Sequence, residues 1–187
     1  MTPKHTDLPE KAKLDLIPLG PLDHLAASIV AANLQVVMGL LTDIREDRPQ
    51  PEHAYLERRR QYDAAKIIDT LAAEDGGAPL RLGLTGQDLC TPVLTFVYGE
   101  SQLGGRAALV SMHRLVDSDP EVTYLRTTKV CIHEVGHLLG LSHCWETGCL
   151  MRFPRDLEQL DGMPLRLCST CEYEIARHLK ILYTNSI

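Results

Sequence analysis

No stretch of the 187-residue sequence is apolar over the roughly 20 residues that a membrane-spanning helix needs. The opening residues, MTPKHTDLPEKAKLDL, are polar and lack the uninterrupted apolar centre of a secretory signal. A cytoplasmic protein without a membrane partner is therefore the expectation. Positive charge is also scarce. Nineteen Lys and Arg stand against 25 Asp and Glu, giving a formal charge of -6, and the only basic cluster is Arg58-Arg59-Arg60. Such a balance offers no basic stripe to track phosphates, so nucleic acid is excluded as an expected partner. Internal repeats, low-complexity tracts and linkers are lacking as well. What remains, 44% hydrophobic and 24% charged residues, is the composition of one globular domain with an ordinary core, expected to be a monomer.

Apolar periodicity predicts a β-α-β opening: a strand at 13–17, a helix at 21–33 and a strand at 35–41. After the Pro-containing stretch 43–51 a long helix is expected up to residue 74, with Tyr55, Tyr62, Ala65, Ile68 and Ala72 on one face and Gly76-Gly77 as its stop. Further strands are expected at 80–84, 93–98 and 107–112, the last two forming a hairpin across a glycine-bearing loop. Ser118 and Asp119 are candidate caps for a helix running to about Leu139, and a final helix is expected over 169–182.

Residues 133–143 read His-Glu-Val-Gly-His-Leu-Leu-Gly-Leu-Ser-His. On a helix, His133 and His137 lie one turn apart on one face and can reach one metal. Glu134 is offset by about 100°, beyond easy ligation but within reach of a metal-bound water whose proton it can accept. Gly140 can adopt a left-handed conformation, end the helix and turn the chain so that His143 approaches from another side. Three imidazoles leave a fourth position open, as in a catalytic zinc site. Coincidence is a weak alternative: from this chain's own composition, five such fixed positions match on the order of once in ten thousand sequences.

Four of the six cysteines crowd into residues 144–171. Cys144 adjoins His143, Cys149 follows after four residues, and Cys168 and Cys171 form a C-x-x-C pair. Four thiolates from two short knuckles match a closed, structural zinc site that would tie the last helix to the third histidine. Two disulfides are the first alternative, disfavoured in a reducing compartment; a redox C-x-x-C is the second, and it leaves Cys144 and Cys149 without a role. Cys90 and Cys131 fall outside the pattern and read as small buried hydrophobes.

Together, His133, Glu134, His137, Gly140 and His143, followed by Cys144, Cys149, Met151, Cys168 and Cys171, resemble the archaemetzincins, a branch of the metzincin clan of zinc peptidases. The strict match covers roughly residues 131–171. The resemblance implies an α/β fold of the α+β metzincin-like kind. Its parts would be a twisted five-stranded mixed sheet with an antiparallel edge strand, two backing helices, a zinc-binding active-site helix and a small C-terminal subdomain ending in a helix. It implies one metallopeptidase domain over 1–187, with sheet and active-site helix in 1–140 and the four-cysteine site in 141–187. Met151 would pack beneath the imidazoles without ligating the metal. Two zinc ions per chain are expected, one catalytic and one structural. The implied reaction is hydrolysis of peptide bonds through zinc-bound water with Glu134 as general base and acid, and some family members are aminopeptidases; the shallow cleft of so small a chain suggests short or unfolded peptides as substrates. The edge strand, expected at 93–98, would bind an extended peptide around Val97. A zinc-stabilised peptide-binding module without turnover is the competing expectation.

Overall fold

The computed structural model describes residues 13–184; the polar segment 1–12 lies outside them. Strands β1 (Leu14–Leu19), β2 (Thr42–Ile44), β5 (Leu80–Thr85), β7 (Gly99–Ser101) and β8 (Ala107–Ser111) form one sheet in the order β2-β1-β5-β8-β7. All neighbours are parallel except β7, which pairs antiparallel with β8 and forms the sheet's edge. The expected five-stranded mixed sheet with one antiparallel edge is therefore present. Three short strands, β3 (Tyr55–Leu56), β4 (Gln61–Asp63) and β6 (Leu89–Cys90), make a second, smaller sheet.

Side chains alternate across the main sheet and divide the core in two. Leu82, Leu84, Ala108 and Val110 face helices α1 (His24–Met38) and α3 (Pro120–Leu138). Ile17, Leu19 and Leu109 face α2 (Ala64–Ala73) on the opposite side. The two helices that precede the active-site helix thus divide between the faces. The first of these cores continues without a break into the C-terminal region, through Leu150, Leu160 and Met163 around helix α4 (Leu157–Gly162) and through Ile175 and Leu179 of α5 (Ser169–Thr184).

Three expectations are corrected. Residues 35–38 of the strand expected at 35–41 complete α1: Val30, Leu34 and Met38 are buried at four-residue steps while Val36 is 81% exposed, and Gly39 caps the helix at φ 67. A helical burial stripe outweighs the β propensity of two adjacent valines. The long helix expected up to residue 74 is a 3-10 turn, a hairpin and the ten-residue α2. Tyr55 and Tyr62, seven residues apart, are cross-strand partners with ring centroids 5.0 Å apart, not neighbours on a helix face. Arg60, at φ 52, makes the turn, and Asp63 caps α2 by accepting from the Ala65 N–H.

The strand expected at 93–98 is the third correction. Thr91 and Leu94 close a turn there, Val93 is 89% exposed, and only Val97 makes a bridge, to Leu89. The edge strand begins two residues later, at Gly99.

Candidate metal centre and active-site groove

Helix α3 begins where the caps place it: Asp119 accepts from the Glu121 N–H at 2.9 Å and Pro120 occupies the first turn. It is regular through His133, Glu134 and His137 and ends at Leu138. Gly140 then sits at φ +85, a conformation that side-chain-bearing residues rarely adopt. The N–H groups of Gly140 and Leu141 return to the carbonyls of His137 and Gly136. The chain is thereby turned back, and His143 arrives beside the helix.

The three imidazoles converge, each offering a nitrogen within 4.8 Å of the others. Their tautomers are fixed from behind. His133 Nδ1–H donates to the Leu150 carbonyl at 2.9 Å and His137 Nδ1–H to the Leu141 carbonyl at 2.6 Å, because a carbonyl can only accept. Each ring therefore points an unprotonated Nε2 inward, and these two nitrogens lie 3.1 Å apart. Two facing lone pairs at that distance repel unless a cation stands between them. Two nitrogens each about 2.05 Å from one tetrahedral ion lie about 3.3 Å apart, so the donor set fits zinc. Burial pushes the His133 pKa down to about 4 and holds that of His137 below its ordinary value, so both are neutral and ready to ligate at pH 7.

Glu134 points away from the imidazoles toward β7. Its Oε2 accepts from the Ser101 hydroxyl at 2.6 Å, and a Cβ on Gly99 would stand 2.7 Å from its Cγ. The edge strand therefore clamps this carboxylate through one hydrogen bond and one missing side chain. Burial raises its pKa to about 7, against the opposing pull of the Ser101 hydrogen bond. A cation at the imidazoles would pull it back down, toward the ionised form that can accept a proton. No local signal marks Ser101 in the sequence, since its partner lies 33 residues away.

The four cysteines form the second cluster, with sulfurs within 4.8 Å of one another. Cys144 Sγ and Cys168 Sγ are 3.8 Å apart, far beyond a disulfide of about 2.05 Å. Sulfurs held at about 2.3 Å by one tetrahedral zinc are separated by about 3.8 Å. Backbone N–H groups of Glu146 and Cys168 approach the sulfurs of Cys144 and Cys149 at 3.4 Å, an arrangement that stabilises thiolates. Cys90 and Cys131 stand outside both clusters and are fully buried, and burial raises the Cys131 pKa, as for an unreactive core thiol.

The two clusters share one scaffold. Leu150 receives the His133 hydrogen bond, and the Cys144 N–H bonds the Met151 carbonyl at 2.9 Å. Met151 is fully buried and lies against Gly136, between the two helical histidines; a Cβ at Gly136 would meet the Met151 sulfur and stand 2.8 Å from its Cε. Gly136→Ala sets a gain in helix propensity of about 1 kcal/mol against overpacking costs of about 1–3 kcal/mol. A net loss is expected, read as a lower Tm together with weaker zinc retention in a chelator titration. An unchanged or higher Tm would show that Met151 yields freely.

Above α3 runs a groove of about 660 Å³, bounded by β7 and residues 94–98 on one side and by residues 150–163 on the other. Val97, the expected substrate contact, borders this groove, yet its side chain is 7% exposed in the core and its N–H is bonded to Leu89. The open edge belongs to β7 instead. The Ser111 N–H bonds Tyr98 O and the Gln102 N–H bonds Ala107 O, which in an antiparallel register pairs Glu100 with Leu109 through both backbone bonds. The N–H and C=O groups of Gly99 and Ser101 are left facing away from the sheet.

Known proteins resemble the chain in sequence and in fold. The sequence profile of peptidase family M54 matches residues 48–177. The archaemetzincin of Methanopyrus kandleri is 42% identical over 130 residues, covering 70% of this chain and 74% of its own. That of Archaeoglobus fulgidus is 37% identical over 121 residues, covering 65% and 72%. Among solved structures, the M. kandleri archaemetzincin superposes with a TM-score of 0.82 at 34% identity over 96% of this chain and 99% of that one. The A. fulgidus archaemetzincin, solved in complex with malonate, gives 0.76 at 29% identity over 86% and 99%. With the family profile spanning more than half of its length, the chain belongs to the archaemetzincins of peptidase family M54 and is a zinc metallopeptidase.

Proposed function

We propose that this peptidase cleaves short or unfolded peptides, trimming them from their amino ends, with Glu134 as general base and acid beside a zinc held by His133, His137 and His143. A second zinc, held by Cys144, Cys149, Cys168 and Cys171, is structural in this reading. The observation that carries it is the opposed pair of Nε2 atoms at 3.1 Å beside a carboxylate clamped by the sheet edge.

What a bound zinc supplies at the three imidazoles is Lewis acidity, acidifying a water and polarising a carbonyl. The remaining chemistry is the protein's own. Gly99 and Ser101 offer backbone N–H and C=O groups to an extended peptide, which lies along β7 as an added strand. The groove takes only a few residues, which restricts substrates to chains that arrive unfolded. Glu134 accepts the proton of the attacking water and returns it to the leaving amine, held at its oxygen by Ser101 between the two transfers. Gly140 and Met151 keep the ligands in place by turning the chain and packing under the helix.

Mass-spectrometric profiling of a diverse peptide library tests this. The zinc-loaded protein is expected to release residues from amino ends, and a chelator to stop the release until zinc is restored. Internal cuts would replace amino-end trimming with endopeptidase action. No cutting by a folded, zinc-replete protein would favour a peptide-binding module.

A further inference from the structure

Lys129 lies one turn before His133 on the same face of α3 and is 2% exposed, yet it borders the groove. Its ammonium donates to the carbonyls of Leu160 and Asp161 at 2.8 and 2.9 Å, which accounts for two of its three N–H groups. Among the described residues no carboxylate pairs with it. The nearby Asp161 carboxylate is occupied by Arg126, which grips it with Nε and Nη2 at 2.8 and 2.7 Å. A buried cation without an anion is costly, and burial accordingly holds the Lys129 pKa below the ordinary lysine value, despite the opposing influence of Asp161. Val130, Leu150, Leu160 and Met163 line the same groove, with Leu160 directly at the ammonium. An apolar passage that ends in an ammonium matches a side chain with a short aliphatic stem and a carboxylate.

We propose that Lys129 is a specificity-determining residue: it ends a subsite beside His133 that selects a carboxylate on the substrate residue next to the cleaved bond. The inference rests on the peptidase reading for its position relative to the bond. The carboxylate has two possible sources, an acidic side chain or the carboxyl end of a short peptide, and both place the same group on the same ammonium. A purely structural Lys129 would only tie α3 to the last turn of α4.

The test uses peptides with free amino ends and amidated carboxyl ends that differ only in Glu or Gln at positions flanking the cut, and a second set ending there as free acid or amide. Binding to the zinc-loaded Glu134→Gln protein and cleavage by the parent protein are measured side by side. A preference of about tenfold or more for Glu over Gln at one position is expected, because a hydrogen bond to a charged partner is stronger than a neutral one. K129M is expected to abolish that ratio and K129R to preserve it. A side-chain source shows in the first set, a terminal source in the second. Equal affinities and rates for Glu and Gln, and for acid and amide, overturn the subsite whether or not any variant folds. So does K129M lowering all peptides equally with the ratio intact. Retained Glu preference in binding without any cleavage upholds the subsite and overturns the peptidase reading alone.

Discussion

Glu134→Gln is expected to lower kcat by about 10² to 10⁴, the range that a positioned acid–base group contributes, while zinc content stays unchanged. Glutamine has the volume of glutamate, and its carbonyl oxygen can still accept from the Ser101 hydroxyl. The fold around a residue that is only 9% exposed is therefore preserved. The three imidazoles are oriented by Leu150, Leu141 and the Gly140 turn, none of which involves Glu134. What is lost is the basic oxygen alone. The Michaelis constant should stay near its parent value, because the strand-like contacts of Gly99 and Ser101 remain. Steady-state kinetics with metal analysis of the same preparation reads both quantities. A variant within tenfold of the parent in kcat would remove Glu134 from the chemistry.

Cys168→Ser is expected to reduce zinc from two to one per chain and to lower stability by at least about 3 kcal/mol. Structural zinc sites in small peptides contribute roughly 10–16 kcal/mol, and the smaller figure reflects a C-terminal region that already shares the main core. The damage should spread to catalysis. Cys144 follows His143 directly and its N–H is tied to Met151, so loosening the cysteine cluster frees the third imidazole. Thermal denaturation with metal counting checks this. Unchanged zinc and unchanged Tm would contradict a metal at the four sulfurs, and destabilisation by a thiol reductant in place of metal loss would indicate disulfides.

The site was legible where chemistry is encoded by short spacing. His133, Glu134 and His137 occupy one helical stretch, and Gly140 can be recognised as its stop because the turn is local. The cysteine knuckles are read in the same way. What escaped were partnerships across the sheet. Ser101 and Gly99 clamp Glu134 from another element, and Lys129 has meaning only once α4 is packed against α3. The fold was legible in its long, fully buried strands, β1, β5 and β8, and in the capped start of α3. It was misread where two structures share one period. Tyr55 and Tyr62 satisfy both a helix face and a hairpin register, and Arg60 at positive φ, which decides for the hairpin, carries no mark in the sequence. The edge strand was misplaced because Val93 and Leu94 are apolar yet exposed beside the groove, while Gly99 and Ser101, with poor strand propensity, form the edge itself.

The proposed catalytic base and the proposed substrate strand are linked through one element. The backbone groups that would receive a peptide in the proposed mode belong to Gly99 and Ser101, whose inner faces hold Glu134. A peptide added to β7 would therefore lie in register with the Glu134 carboxylate. Leu150 and Met151 connect the imidazoles to the cysteine cluster, so the geometry of each cluster depends on the other.

Diffraction from crystals of the zinc-loaded protein, with anomalous differences recorded on both sides of the zinc absorption edge, tests this arrangement most directly. Two zinc peaks per chain are expected, one about 2.0–2.1 Å from nitrogens of His133, His137 and His143 and one about 2.3 Å from the four cysteine sulfurs. A catalytically active crystal preparation with no zinc at the three imidazoles would contradict the proposed active site.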